Sequence, residues 1–252
     1  MKIATWNVNS LKVRLPQVLE WLASSPVDVL CLQETKLSDD KFPVAEIEAA
    51  GYQVAFTGQK TYNGVAILSR HPITDVVKNN PLFQDEQQRI ISATIEGMRI
   101  VCAYVPNGQA VGSDKYAYKL RWLDALIQWL QAEIQQSPSL ALLGDYNIAP
   151  TDADVHDPAA WQDQVLVSAP ERQRLSAYVL CQWQSRFSCF RRRKKCTAGG
   201  IIVRWHSAET GDCASIISCY RLHLPSAVLH AKSTNYPENG NSLRTTRPSL
   251  RL

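Results

Sequence analysis

Leu142-Leu143-Gly144-Asp145-Tyr146-Asn147-Ile148-Ala149-Pro150 is the stretch from which the rest of the chain can be read. An apolar run stops at a glycine, a carboxylate and a carboxamide follow two residues apart, and a proline closes the turn. That order suits the C-terminal edge of a buried strand. Strand side chains alternate with period two, so Asp145 and Asn147 fall on one face. A carboxylate beside an amide suits the holding of water, a cation or phosphate. A plain strand followed by an Asx-rich turn has the same look, so the stretch alone leaves both readings open.

Three upstream segments repeat the pattern. Lys2–Ser10 (KIATWNVNS) reads as a strand ending at Asn7, with Asn9 and Ser10 opening a turn. Val27–Lys36 (VDVLCLQETK) has an apolar centre suited to a strand buried on both faces, with Glu34 at its end. Ile100–Gly108 (IVCAYVPNG) is a strand with Tyr104 near its end and a Pro-Asn-Gly turn after it. Four strand ends thus deliver Asn7, Glu34, Tyr104 and the Asp145/Asn147 pair. Converging, they would form a pocket of oxygen ligands for a hard cation such as Mg²⁺, with a phenol for a phosphate oxygen. Taken singly, each has a bland reading: Asn7 and Asn9 as turn formers, Glu34 as a solvated strand end, Tyr104 as an ordinary packed aromatic.

Around these ends the chain alternates strands and helices, which predicts an α/β fold. Arg14–Ala23 is amphipathic, with Leu15, Val18, Leu19 and Leu22 on one stripe. Tyr52–Thr57, Val65–Ser69, Ile90–Ile95 and Arg99–Val105 read as strands. Lys115–Gln136 is the longest helix, and Leu120, Leu123, Leu126, Ile127 and Leu130 are expected in its core face.

T-W-N-V-N-S, L-Q-E-T-K, Y-V-P-N-G and G-D-Y-N-I-A-P, in that order, resemble exonuclease III and the AP endonucleases of the endonuclease/exonuclease/phosphatase superfamily. The resemblance runs from Met1 to about Gln173. It implies a four-layer α/β sandwich of two packed mixed β-sheets flanked by helices. It also implies a Mg²⁺- or Mn²⁺-dependent DNA-repair nuclease, acting on double-stranded DNA at abasic sites and 3′ ends, as a monomer. By the resemblance, Glu34 is the main metal ligand and Asn7 supports the metal site. Asp145 orients or deprotonates water, Asn147 holds the scissile phosphate, and Tyr104 meets the phosphate or its developing charge. Asp145 and Asn147 are also candidates for a second metal site. Lys36, Asn63, Arg89 and Asn107 are the candidate DNA contacts, with Asn63 and Asn107 on the cleft rim.

The family pattern breaks near Gln173. Members carry an Asp-His pair in an S-D-H-x-P motif, and an earlier Asp after an aromatic, arginine-rich region. Here none of His71, His156, His206, His223 and His230 follows an aspartate. Residues 1–173 hold 14 basic and 20 acidic residues, whereas 174–252 hold 13 and 3, so the formal net charge of +4 comes from the tail. Five of the seven cysteines also crowd the tail, at spacings that fit no common zinc pattern.

Three readings of 174–252 arise: a basic nucleic-acid-binding extension around Arg191–Lys195, a disulfide module, or a segment translated out of frame after about residues 171–176. A disulfide module fits poorly with a chain that shows no signal peptide. The out-of-frame reading has direct support. Joining each codon's third base to the next two, Arg191–Ile217 permits V-Y-S-W-W-D-Y-R followed by N-R-G-L-R-I-D-H. Lys232–Pro248 likewise permits Q-P-S-D-H-A-P. Both resemble the missing family segments, in the right order. The expected organisation is therefore 1–173 as the N-terminal part of the superfamily domain and 174–252 as a poorly ordered tail, with Val203–His206 and Ile216-Ile217 as isolated apolar scraps. The expected product is nearly inactive, with an exposed sheet edge where strands are missing.

The patterned part shows no transmembrane run and no short repeat, and its two cysteines lie in apolar strands, which predicts a reducing cytoplasmic location. Two other functions stay open. One is a different phosphodiesterase of the superfamily, acting on phosphoinositides or sphingolipids, against which the L-Q-E-T-K and Y-V-P-N-G details speak. The other is a non-catalytic product whose basic tail binds nucleic acid with steep salt dependence.

Overall fold

Each strand alternates its buried side chains between two neighbours, and from this the layers follow. The structure, a computed structural model, describes residues 1–183 apart from 138 and 156, together with 204–207 and 214–219. Its elements in chain order are β1 (Ile3–Asn7), α1 (Leu11–Ser24), β2 (Val29–Gln33), α2 (Val44–Ala49), β3 (Gln53–Thr57), β4 (Val65–Ser69), β5 (Thr74–Lys78), β6 (Ile90–Ile95), β7 (Met98–Tyr104), α3 (Asp114–Gln136), β8 (Leu140–Asp145), α4 (Ala169–Trp183), β9 (Arg204–Ser207) and β10 (Ala214–Cys219). They form one sheet in the order β1-β2-β4-β3 and a second in the order β5-β6-β7-β8-β10-β9.

Val29 and Cys31 of β2 pack with Ile100 and Cys102 of β7 and Ala141 and Leu143 of β8, so these residues form the layer between the sheets. The intervening residues face outward. Leu30 and Leu32 pack with Val18, Trp21 and Leu22 of α1 and Ile47 of α2. Val101, Ala103, Leu140 and Leu142 pack with Trp122, Leu123, Leu126 and Trp129 of α3 and Leu175 of α4. The result is the helix–sheet–sheet–helix sandwich expected from the sequence. Both faces of β2 and β8 are covered, and every residue of each is buried.

Two parallel pairs bring the informative strand ends to the same edge. β1 and β2 run parallel with Asn7 opposite Gln33, and β7 and β8 run parallel with Tyr104 opposite Asp145. Gly144 permits the second pairing. A Cβ there would lie 1.8 Å from the carbonyl oxygen of Ala103, so only a residue without one fits between the strands.

The expected spans for β3, β4, β6, β7 and α3 agree with the structure to within about one residue. β5, α2 and α4 were not anticipated. On α3 the buried face is turned toward Tyr116, Lys119, Trp122 and Trp129, leaving Leu120 and Ile127 half-buried. On α1, Leu15 and Leu19 are likewise half-buried, and Leu11 and Trp21 take the core positions.

The tail corrects two expectations. The far edge of β8 is not open: β10 pairs with it antiparallel, Ile217 opposite Asp145, and β9 pairs with β10. Arg204-Trp205-His206 and Ile216-Ile217, expected as isolated scraps, fall within these two strands. α4 also runs without interruption through the 171–176 interval. The expectation of poor order for the remainder of 184–252 lies outside the described residues.

Candidate active site

Asn7 is the first residue to place, because its side chain joins the two sheets. Its Nδ2 donates to Glu34 Oε1 at 2.8 Å and to Asp145 Oδ2 at 2.7 Å. The same residue's Oδ1 accepts the backbone N–H of Asn9 at 3.0 Å, which fixes the amide's orientation. Behind it, Gln33 is buried between the sheets and donates to Thr5 Oγ1 at 2.9 Å and to Cys102 Sγ at 3.2 Å. The carboxylates of Glu34 and Asp145 are thereby held close together by one neutral donor.

Glu34 has φ 54°, in the left-handed region, at the point where the chain leaves β2. For a residue with a Cβ and a long side chain, this costs about 1–3 kcal/mol and persists only where the surroundings enforce it. Here the enforcing bonds are Ser10 N–H to Glu34 O at 2.7 Å and Leu11 N–H to Thr35 O at 3.0 Å on one side. On the other, Thr35 N–H meets Gly64 O at 3.1 Å and Lys36 N–H meets Asn63 O at 2.9 Å.

Asp145 is 3% exposed. Burial pushes its carboxyl up to about 6, and the charge of Glu34 adds to the rise; bonds from the Asn7 side chain and the Asn147 backbone, together with the Lys119 charge, act against it. The Tyr104 phenol hydrogen-bonds Glu34 and is also pushed up, first by burial and then by the charges of Glu34 and Asp145. It is therefore a neutral donor at any ordinary pH. The Arg89 guanidinium lies over its ring, 4.9 Å from the centroid.

Asn147, 1% exposed with φ 46°, commits nearly all of its polar atoms. Its N–H donates to Asp145 Oδ1 at 3.1 Å, its Nδ2 donates to Val105 O at 2.9 Å, and its carbonyl accepts from Lys119 Nζ at 2.6 Å. Its Oδ1 is buried without a hydrogen-bond partner. An orphaned acceptor beside a carboxylate calls for a cation or a water, since a buried oxygen left unsatisfied is costly. The donor set fits a hard divalent cation: carboxylate and amide oxygens, two carboxylates and no thiolate. Among the described residues no group of three or more His, Cys, Asp and Glu side chains comes together, at this site or elsewhere.

The structure thus brings together Asn7, Glu34, Tyr104, Asp145 and Asn147. The four candidate DNA contacts stand differently. Lys36 Nζ pairs with Glu34 Oε2 at 3.0 Å and also meets Asn9 Oδ1, at the margin of the acidic site. Asn63 is 6% exposed, and its Nδ2 donates to Gln59 Oε1 at 3.1 Å and Gln87 Oε1 at 3.2 Å. Arg89 donates through Nε and Nη2 to the same Gln87 Oε1, at 3.1 and 2.8 Å. Asn107 is half-buried, with its Oδ1 accepting Gln109 N–H at 3.0 Å and its carbonyl accepting Lys119 Nζ at 3.0 Å. Asn63 and Arg89 are therefore tied into one polar network through Gln87.

Gln33, Gln87, Lys119 and Glu171 were missed by the sequence reading. Of these only Lys119 left a signal, as a lysine standing on an apolar helix stripe.

Three kinds of similarity bear on this geometry. Residues 4–198 match the model of the Endonuclease/Exonuclease/phosphatase family. The chain is 32% identical over 161 residues to the exodeoxyribonuclease III of Haemophilus influenzae, a stretch that makes up 62% of this chain and 60% of that relative. The structure superposes on a 3′ phosphatase, NExo, from Neisseria bound to product DNA hairpin, with a TM-score of 0.73 and 37% identity, covering 86% of this chain and 85% of that one. It superposes equally well on an AP endonuclease from Archaeoglobus fulgidus, with a TM-score of 0.72, 30% identity and the same coverage.

Proposed function

Since the chain belongs to the endonuclease/exonuclease/phosphatase family, in its exonuclease III and AP endonuclease branch of DNA-repair nucleases, we propose that its site is built to hydrolyse DNA phosphodiesters at abasic sites and 3′ ends. The observation that carries this reading is the Asn7 amide, which holds Glu34 and Asp145 together across the two sheets while Tyr104 faces Glu34.

A divalent cation, Mg²⁺ or Mn²⁺, would supply Lewis-acid stabilisation of an anionic, crowded phosphorus centre. Glu34 would hold it, with Asp145 and the Asn147 Oδ1 as further oxygen donors. Asn7 keeps its own oxygen on the Asn9 backbone and so acts by spacing the two carboxylates. Asp145, with its carboxyl raised to about 6, is poised near neutrality to orient water and accept its proton. Tyr104 presents a neutral phenol whose O–H can turn toward a phosphate oxygen. Lys36, Asn63, Arg89 and Asn107 would be the contacts for the DNA backbone, with Asn63 and Asn107 on the cleft rim. We further assign the chain to a reducing cytoplasm, in keeping with Cys31 and Cys102 buried in apolar strands, and read it as a monomer. Among the described residues no helix is long and apolar enough to cross a membrane.

We also propose that the segment after about residues 171–176 is translated out of frame, so that the S-D-H-x-P motif is absent and the chain is strongly impaired. Groups that act as one catalytic unit lose most of their effect when part of the unit is missing. Sequencing the gene tests the frame directly; a tail encoded without a slip in the reading frame removes this proposal. Activity is tested on a 3′-labelled duplex and a duplex with one abasic site, with Mg²⁺ or with EDTA. Weak, EDTA-sensitive cleavage is expected. Turnover at the rate of an ordinary nuclease overturns the impairment. Salt-sensitive DNA binding with no metal-dependent cleavage overturns the nuclease reading and favours a basic binding tail.

A further inference from the structure

Lys119 sits in the second turn of α3 on the stripe formed by Tyr116, Trp122 and Leu126, and its side chain is fully buried. A lysine so placed has to satisfy an ammonium with three N–H donors. It meets Glu171 Oε1 at 2.5 Å, Asn107 O at 3.0 Å and Asn147 O at 2.6 Å. The two carbonyls belong to different loops, one following β7 and the other following β8. Those are the strands that end in Tyr104 and Asp145.

Glu171 is equally buried and equally committed. It accepts Leu166 N–H and Ser168 N–H, each at 3.2 Å, and the Ser168 hydroxyl at 2.5 Å. Ser168 Oγ in turn lies 2.6 Å from the Tyr116 hydroxyl, which returns the network to α3. The lysine stem is packed as well: a Cβ on Gly108 would come within 3.1 Å of Lys119 Cδ. The ammonium is therefore fixed in space before it reaches the loops.

The consequence falls on Asn147. Its N–H and Nδ2 are bound to Asp145 and Val105, and its left-handed backbone is unfavourable in isolation. The Lys119 bond to its carbonyl is the third restraint, and the three together leave Oδ1 as the acceptor without a partner.

We infer that Lys119, held by Glu171, is a positioning residue that clamps the loops after β7 and β8 and so fixes the Asn147 amide oxygen for the site. The inference rests on the reading of Asn147 as a site residue given above, and its test separates the two.

The wild-type chain, K119M, K119M/E171Q and E171Q are compared by thermal unfolding, by hydrogen exchange of residues 145–149 and by Mn²⁺ affinity. K119M leaves a buried carboxylate unpaired, so its thermal midpoint should fall by about 10 °C. K119M/E171Q removes both charges and should recover most of that loss. If Lys119 positions the loops, exchange at 145–149 stays at least about tenfold faster than in wild type, and Mn²⁺ binds about tenfold more weakly, despite the recovered stability. Recovered stability with wild-type exchange and wild-type Mn²⁺ affinity would show a purely structural ion pair and overturn the inference. E171Q keeps the ammonium and its two carbonyl partners but loosens its anchor, so exchange at 145–149 should rise less than in K119M; a rise as large as that in K119M would mean that the ammonium–carbonyl bonds hold nothing and also overturns the inference, even if the double variant does not fold. Absence of Mn²⁺ binding in the wild type counts against the proposed function alone, because the exchange comparison still decides the clamp.

Discussion

Residues 1–173 set 14 basic side chains against 20 acidic ones, and their apolar residues alternate in register with the sheets; residues 174–252 set 13 basic against 3 acidic and gather five of the seven cysteines. In the first region, chemistry agrees with position at every level. Val29, Cys31, Leu30 and Leu32 divide cleanly between two cores, and the polar residues that follow them meet in one place. In the second, β10 and β9 complete the edge of a sheet, yet the segment carries no Asp-His pair. A strand needs only extended backbone and an available edge. A catalytic centre needs particular atoms, and pairing alone does not provide them.

The contrast can be broken by experiment. The largest effect is expected from restoring the reading frame near codons 171–176. If the tail is out of frame, the repaired chain should cleave duplex DNA faster by on the order of 10³-fold or more. No gain in a 3′-exonuclease or abasic-site assay would mean that the two regions differ for another reason.

Next is Gly144→Ala in the first region. Its Cβ would strike the Ala103 carbonyl oxygen at 1.8 Å, so the β7–β8 pairing must open. A loss of more than about 4 kcal/mol in denaturant unfolding is expected.

Asp145 supplies a test by pH. A carboxyl raised from 3.8 to about 6 carries no penalty below its unfolded value, where it is protonated in both states; the penalty grows as pH rises and is complete above 6. At about 1.4 kcal/mol per unit, the metal-free chain gives up about 3 kcal/mol through this group between pH 3 and pH 7. Asp145→Asn should recover about that much at pH 7 and abolish the stabilisation by Mn²⁺. In the wild type, Mn²⁺ affinity should fall about tenfold per pH unit below 6, as protons compete for the ligand.

The smallest effect is expected in the tail. Proline inside a sheet removes a ladder hydrogen bond and is tolerated only at edges and bulges, and β10 lies between β8 and β9. If its pairing carries no selected packing, Ile217→Pro should change stability by less than about 0.5 kcal/mol. A full-sized loss would give the tail a share in holding the fold together.

What the sequence made legible was local. An apolar run, its end and the polar residue after it lie within ten residues, so β1, β2, β7 and β8 with Asn7, Glu34, Tyr104 and Asp145 could be read directly. β5 escaped because four of its five residues are exposed or nearly so, and Thr74, Asp75 and Lys78 give it no apolar face. Gln87 escaped because a glutamine in a loop looks solvated until Asn63 and Arg89 are found on its oxygen. Lys119 and Glu171 escaped because each explains the other, and 52 positions separate them. The twist of α3 toward Trp122 and Trp129 was hidden for a similar reason: helical spacing allows two adjacent stripes, and only the packing against β7 and β8 selects one.

The Asn7 amide has a consequence for which residues can occupy that position at all. A planar NH₂ group offers two hydrogens about 120° apart, and here each is aimed at a different carboxylate. Serine would supply one hydrogen and leave one acid unsupported. Aspartate would supply none and add a third negative charge, while lysine would supply enough but cancel the field. A carboxamide spaces two acids without adding a charge of its own, so, apart from the Lys36 pair on Glu34, the negative charge of Glu34 and Asp145 is left for an entering cation.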